Sequence, residues 1–265
     1  MIQGGAPLDR KREPLPTRVR DTPALPAAFD EIVGTGLVRL GLTATPAARA
    51  RIDGHVRLLL AWTSAINLTA IRDPADIAVR HVLDSLSALA YVPGLTTAAG
   101  ILDLGSGGGF PGLPIAAFVP STAVALVEPV GKKARFLETV VAATAMGERV
   151  TVTQARAEAL AGDPTHRDRW PVVTSRAVGS MADLVELAFP LLDAGGALVA
   201  WKRGALDLEL RAAQRAIAAL GGGTLDVADV AMPGLADHRL VIARRTGTVP
   251  PGFPRDPSLR RRRPW

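Results

Sequence analysis

Hydrophobic positions along the chain fall into two textures that meet near residue 100. Before that point, apolar residues recur every three or four positions, the period of one face of an α-helix. Phe29 to Leu40 forms one such stretch. A second opens at Thr45-Pro46 and carries Ile52, Val56, Leu59, Leu60 and Ile66; threonine followed by proline starts a helix without leaving a backbone donor idle. A third helix is predicted over Arg80 to Tyr91, where Val82, Leu83, Leu86 and Leu89 keep the spacing. From residue 100 onward, short apolar runs alternate with amphipathic stretches. Strands are predicted at 101–104, 123–127, Val150 to Thr153, Val172 to Thr174, Ala197 to Trp201, Thr224 to Val230 and Leu240 to Ala243, and helices at 112–119, 132–145, 181–192 and 206–219. Strands that read as unbroken apolar runs are buried on both faces, so the pattern predicts a mostly parallel sheet covered by helices on each side. Only Ala231 to Arg239 separates the last two strands. That is too short for a helical crossover, so the last strand is predicted to run antiparallel.

Four segments follow: a Pro/Arg-rich disordered leader (1–26), a helical region (27–98), an α/β domain (99–245) and a basic disordered tail (246–265). Seven strands with a reversed last hairpin, behind a helical extension, is the outline of the Rossmann-like class I methyltransferase fold. At 265 residues and 48% hydrophobic content the chain can bury a sizeable core. It has no cysteine, which excludes disulfides, thiolate metal sites and a cysteine nucleophile. No apolar run approaches the roughly 20 residues of a membrane span, and Met1 to Pro26 lacks the apolar centre of a signal peptide. A cytoplasmic protein, without metal or membrane and with a monomer favoured, is expected.

The net charge of +6 invites a nucleic-acid reading, but its distribution matters more than its sum. Residues 1–26 carry +2 and residues 244–265 carry +6, leaving −2 on the body. Contacts of the body with a polyanion must therefore use local clusters, while Arg260 to Arg263 add unspecific phosphate affinity.

The most informative stretch is Asp103-Leu104-Gly105-Ser106-Gly107-Gly108-Gly109-Phe110-Pro111-Gly112, which follows a predicted strand. Glycines let a strand-to-helix turn take positive φ and bring its backbone against a ligand. The next strand ends in Glu128, placed where a carboxylate accepts hydrogen bonds from both ribose hydroxyls of an adenosine. A dinucleotide register exists at Gly107, Gly109 and Gly112, but it starts late and puts Pro111 where a phosphate wants an N–H donor. The earlier register, Asp103-x-Gly105-x-Gly107-x-Gly109, matches the acid-x-G-x-G-x-G form associated with S-adenosylmethionine, favouring methyl transfer over hydride transfer.

Absences narrow the methyl acceptor. Attack from a pyrimidine C5 usually needs a cysteine, and attack by an exocyclic amine usually brings an (Asp/Asn)-Pro-Pro-aromatic motif after the fourth strand. Here that position reads Val173-Thr174-Ser175-Arg176-Ala177-Val178. Arginine is no general base, but it can pin a phosphate, a carboxylate or a guanine edge. A ring nitrogen that already owns a lone pair needs no proton removed, and no general base is named. Lys132, Lys133 and Arg135 open a helix at the end where its dipole disfavours cations, which suits an arriving anion.

The motifs Asn67-Leu68-Thr69-Ala70-Ile71, Arg80-His81-Val82-Leu83-Asp84-Ser85-Leu86, the turn from Leu102 to Pro114, Lys132-Lys133-Ala134-Arg135-Phe136-Leu137, Arg156-Ala157-Glu158 and Ser175-Arg176-Ala177 occur in this order. Together they resemble the RsmG (GidB) family, 16S rRNA guanine-N7 methyltransferases that use S-adenosylmethionine on the small ribosomal subunit. The resemblance spans roughly residues 60 to 205. It implies a cofactor pocket at Gly105 and Phe110, adds Ala157 and Glu158 for the adenine, and makes Arg176 a cofactor contact. Arg80, His81, Lys132, Lys133 and Lys202 are candidates for an RNA-facing rim, although His81 equally fits a packed core histidine. The chain departs from the family pattern at Trp201-Lys202-Arg203-Gly204, in its longer leader and in its arginine-rich end. Methylation of another substrate on the same cofactor domain, and a ribosome-binding module without catalysis, are the alternative readings.

Overall fold

A computed structural model describes residues 14–92, 94–176 and 179–265. Helices α1 (Ala27–Arg39), α2 (Pro46–Ile66), α3 (Pro74–Ile77) and α4 (Asp84–Tyr91) come first, and a π-helical turn over Ala78–Leu83 joins the last two. Thr45 caps α2 by accepting the Ala48 N–H, with Pro46 at the first helical position. The same device opens α3 ahead of the predicted start at Arg80, where Asp73 accepts from the Ala75 and Asp76 N–H groups and Pro74 follows.

Seven strands form one sheet: β1 (Gly100–Leu104), β2 (Ala123–Val127), β3 (Val150–Thr153), β4 (Trp170–Arg176), β5 (Leu192–Arg203), β6 (Gly223–Asp229) and β7 (His238–Arg245), in the order β3-β2-β1-β4-β5-β7-β6. The first five are parallel, and β7 runs antiparallel to both β5 and β6, as the short Ala231–Arg239 connection predicts. From β1 the sheet grows one way through β2 and the other through β4. Between β1 and β4 lies the switch point, where a crevice opens outside the carboxyl ends of the strands.

Helices α5 (Gly112–Phe118), α6 (Gly131–Ala143), α7 (Ala157–Gly162), α8 (Met181–Ala188), α9 (Asp207–Ala219) and α10 (Pro257–Arg262) complete the chain. Alternate strand residues face opposite ways and define two cores. Ile101, Val124 and Leu126 join the N-terminal helices, α5 and α6, whereas Leu102, Leu104, Ala125 and Val127 pack with α8 and α9. The helices before residue 98 therefore cover one face of the sheet and share its core.

Several expectations need correction. The helix predicted over 181–192 ends at Ala188, because Leu192 already begins a long β5. α7 was not predicted; six residues are too few to display a period. The described part of the leader is ordered: the Trp62 indole donates to the Pro16 carbonyl at 2.8 Å, and Arg57 donates to the Val19 carbonyl at 3.0 Å. The tail is also folded back, because Glu186, fully buried on α8, draws Arg255 and Trp265 onto itself. Among the described residues no helix is long and apolar enough to cross a membrane.

Candidate active site

β1 ends at Leu104, and the chain then turns through Gly105, Gly107 and Gly109 at φ of 73°, 55° and 89°. Side chains rarely tolerate this region. At Gly109 space forbids one as well, since a Cβ would sit 2.3 Å from Leu113 and 2.9 Å from the His55 ring. Asp103 braces the turn from below, accepting the Thr174 hydroxyl at 2.8 Å and the Gly112 N–H at 3.3 Å. Burial raises its pKa to about 6. Its contacts make it a strut of the turn.

His55 is a residue that sequence reasoning missed. It is buried on α2, donates from Nε2 to the Gly108 carbonyl at 2.7 Å, and lies 4.6 Å from the Phe110 ring. Burial lowers its pKa to about 4, so the neutral ring holds the turn. The available signal was one polar ring beside the apolar stripe of Ile52, Val56 and Leu59.

Above the turn opens a cavity of about 530 Å³. Gly105, Gly107, Phe110, Glu128, Ala157, Glu158 and Arg176, the residues expected at the cofactor, all line it. Glu128 is 4% exposed; its Oε2 accepts the Gly107 N–H at 2.9 Å and its Oε1 accepts the Val130 N–H at 2.9 Å. Each carboxylate oxygen has a second lone pair, so ribose hydroxyls can still bond to it. Glu158 is ion-paired with Arg260 of α10. Arg176 lies over the Phe110 ring, 5.2 Å from its centroid, and is bound to Asp84 at 3.1 Å and to the Arg80 carbonyl at 3.2 Å.

The expected RNA-facing residues are not one group. Lys132 is exposed on α6, but its neighbour Lys133 lines the cofactor cavity. His81 is turned inward and stacks on Phe110 at 4.7 Å. Burial, then the Arg176 charge, lowers its pKa to about 4. Its Nε2 lies 2.8 Å from the Thr69 hydroxyl and its Nδ1 lies 3.2 Å from an Arg176 nitrogen. Nδ1 also lies 3.1 Å from the Arg80 carbonyl oxygen, so both ring nitrogens are engaged whichever one carries the proton. Arg80 is exposed, 3.7 Å from Asp76, and Lys202 donates to the Gly179 carbonyl at 2.9 Å and to Glu209.

A dinucleotide site would need N–H donors for a pyrophosphate at the turn. Here Pro111 interrupts the turn and β7 is inserted antiparallel between β5 and β6, which is the architecture of a Rossmann-like, S-adenosylmethionine-dependent methyltransferase. The cavity suits that cofactor. It has the size of a small-molecule site, an acid where a ribose is expected and an aromatic floor, and the glycine turn allows close approach of the backbone. An O-methyltransferase from Bacillus cereus, solved in complex with SAH, has the same fold at a TM-score of 0.53 and 16% identity, over 73% of this chain and 91% of that one. By sequence, the family described as rRNA small subunit methyltransferase G (GidB) matches residues 49–237. Ribosomal RNA small subunit methyltransferase G of Roseiflexus castenholzii is 44% identical over 81% of this chain and 89% of its own length. The protein of that name from Symbiobacterium thermophilum is 35% identical over 86% and 94%. The chain belongs to the rRNA small subunit methyltransferase G family.

Proposed function

We propose that the protein transfers the methyl group of S-adenosylmethionine to N7 of a guanine in 16S rRNA of the small ribosomal subunit, in the cytoplasm. The cofactor supplies a methyl activated on a sulfonium. The chain's residues grip and orient: Glu128 holds the loop through the Gly107 N–H and would take the ribose hydroxyls, Ala157 and Glu158 would flank the adenine, and Phe110 with the glycine turn forms the floor of the cavity.

The observation that carries the choice of acceptor is that the two side chains bonded to Arg176, His81 and Asp84, are both fully engaged and neither is left to take a proton. His81 has both nitrogens engaged and a pKa lowered to about 4, and both oxygens of Asp84 are occupied by Arg176 and His238. Guanine N7 presents a lone pair at neutral pH, so the reaction needs in-line placement and exclusion of water, not proton removal. Lys132 and Arg135 on α6, with Arg80, Lys202 and Lys133 nearer the crevice, supply cations for the RNA backbone. The test is transfer of labelled methyl to small subunits lacking the modification, followed by nucleoside analysis. Label in 7-methylguanosine is expected; label confined to another nucleoside or to protein contradicts the proposal.

A further inference from the structure

Beside the cofactor cavity lies a second one of about 310 Å³, walled by Asp84, Trp201, Lys202, Arg203 and His238 and sharing His81 and Arg176 with the first. The shared wall makes them neighbours, so a molecule in the second abuts whatever occupies the first. Asp84 organises this space. Its carboxylate is 2% exposed and is divided between two strand tips: Oδ2 accepts from Arg176 at the end of β4 at 3.1 Å, and Oδ1 accepts from Nδ1 of His238 at the start of β7 at 2.8 Å. Between them Trp201 of β5 donates its indole N–H to the Asp84 backbone carbonyl at 2.7 Å. One residue at the start of α4 thus ties together three neighbouring strands.

A buried carboxylate satisfied on both oxygens fixes its partners more firmly than a surface pair, because losing either partner leaves charge uncompensated. It also solves an electrostatic problem. A bare guanidinium beside a pocket for a sulfonium would repel it, whereas Arg176 paired to Asp84 keeps its N–H donors without net charge. At the rim Arg203 is an exposed cation, beside Lys202 and Arg80, which are paired with Glu209 and Asp76. The cavity therefore offers fixed donors on its floor, an aromatic wall and a cation at its mouth, the complement of a base carrying a phosphate.

Resting on the function proposed above, we infer that this second cavity is the acceptor subsite for a guanine nucleotide of RNA, with Asp84 its positioning residue and His238 a contact to the nucleotide. Nδ1 of His238 is committed to Asp84, which leaves Nε2 for the ligand. His238 lines this cavity and not the first, so it separates the two functions experimentally.

The experiment uses the full chain and two variants, His238→Ala and Asp84→Asn. Steady-state methylation of small subunits lacking the modification gives KM and kcat, and calorimetry gives Kd for S-adenosylhomocysteine. Both variants are expected to raise KM for the subunit by about tenfold or more, and His238→Ala to leave the cofactor Kd within about twofold. Cofactor affinity falling in step with KM in His238→Ala would assign the cavity to the cofactor, and unchanged KM in both variants would place the acceptor elsewhere; each result overturns the inference. If Asp84→Asn does not fold, His238→Ala decides alone. A turnover-independent reading comes from titrating GMP into the wild-type protein loaded with S-adenosylhomocysteine and following the His238 ring proton by NMR. A shift that His81 shares and Ala157 does not is expected. An unmoved His238 signal in a protein that does methylate RNA overturns the cavity assignment alone, whereas a shifted signal in a protein that methylates no RNA overturns the function and leaves the cavity a nucleotide site.

Discussion

Glu128 and His55 illustrate how single side chains build this site. Glu128 holds two backbone N–H groups, of Gly107 and Val130, and so fixes the mouth of the crevice before any ligand arrives. Glu128→Gln puts an amide donor against one of those N–H donors and removes the charge. Binding of S-adenosylhomocysteine is expected to weaken by about 1–3 kcal/mol with an unchanged circular dichroism spectrum; an unchanged calorimetric Kd contradicts the ribose assignment. His55 gives the fold a pH dependence. Its pKa is lowered from an ordinary 6.5 to about 4, as is that of His81, so the folded state holds both rings neutral. Their contribution is complete above about pH 6.5 and is lost as pH falls toward 4, because only the unfolded chain takes up the protons. Asp103, raised to about 6, acts in the opposite direction: its contribution is complete below its ordinary value of 3.8 and is lost as pH rises through 6. Two histidines oppose one acid, so the urea midpoint is expected to drop between pH 6.5 and 4. His55→Gln, which keeps a donor for the Gly108 carbonyl, is expected to make that drop smaller; an equal drop would show that His55 is not the group titrating.

Among the elements, the strands and the glycine turn were legible in the sequence because buried parallel strands are unbroken apolar runs and because only glycine fits the turn's dihedrals. The start of α3 was written in Asp73-Pro74, the same grammar that marks Thr45-Pro46, but only four residues precede the π-helical turn and they show no period. The C-terminal arm was illegible for a different reason. Arg255, Arg260 and Trp265 look like a solvated tail until Glu186 and Glu158, distant in sequence, are placed under them. Glu186 accepts the Arg255 N–H at 2.7 Å, its Nε at 2.9 Å and its Nη2 at 2.7 Å, and the Trp265 indole at 2.7 Å. Arg255 also lies 4.3 Å over the Trp265 ring. Glu186→Ala removes the anchor that these donors share and is expected to release α10, making tryptic cleavage after Arg260 to Arg262 several-fold faster while the body stays intact. Equal cleavage rates would show that the arm is held by something else.

Over the whole molecule, the charge distribution and the two cavities describe an enzyme that brings a polyanion to a small-molecule pocket. The body is nearly neutral, so capture of RNA depends on clusters at the crevice and not on a global field. Lys132, exposed and outside both cavities, is the cleanest probe of that capture. Lys132→Ala is expected to leave the affinity for S-adenosylhomocysteine unchanged, raise KM for the small subunit, and reduce the slope of log K against log salt by about 1; a matching loss of cofactor affinity would place the lysine in the wrong site. The catalytic idea is that this protein aligns a ready nucleophile without taking a proton from it. Its most direct test is the single-turnover rate of methyl transfer to small subunits, at saturating enzyme and S-adenosylmethionine, as pH is raised from about 6 to about 9. A flat profile is the expected result. A rate that climbs tenfold per pH unit would reveal a general base and contradict it.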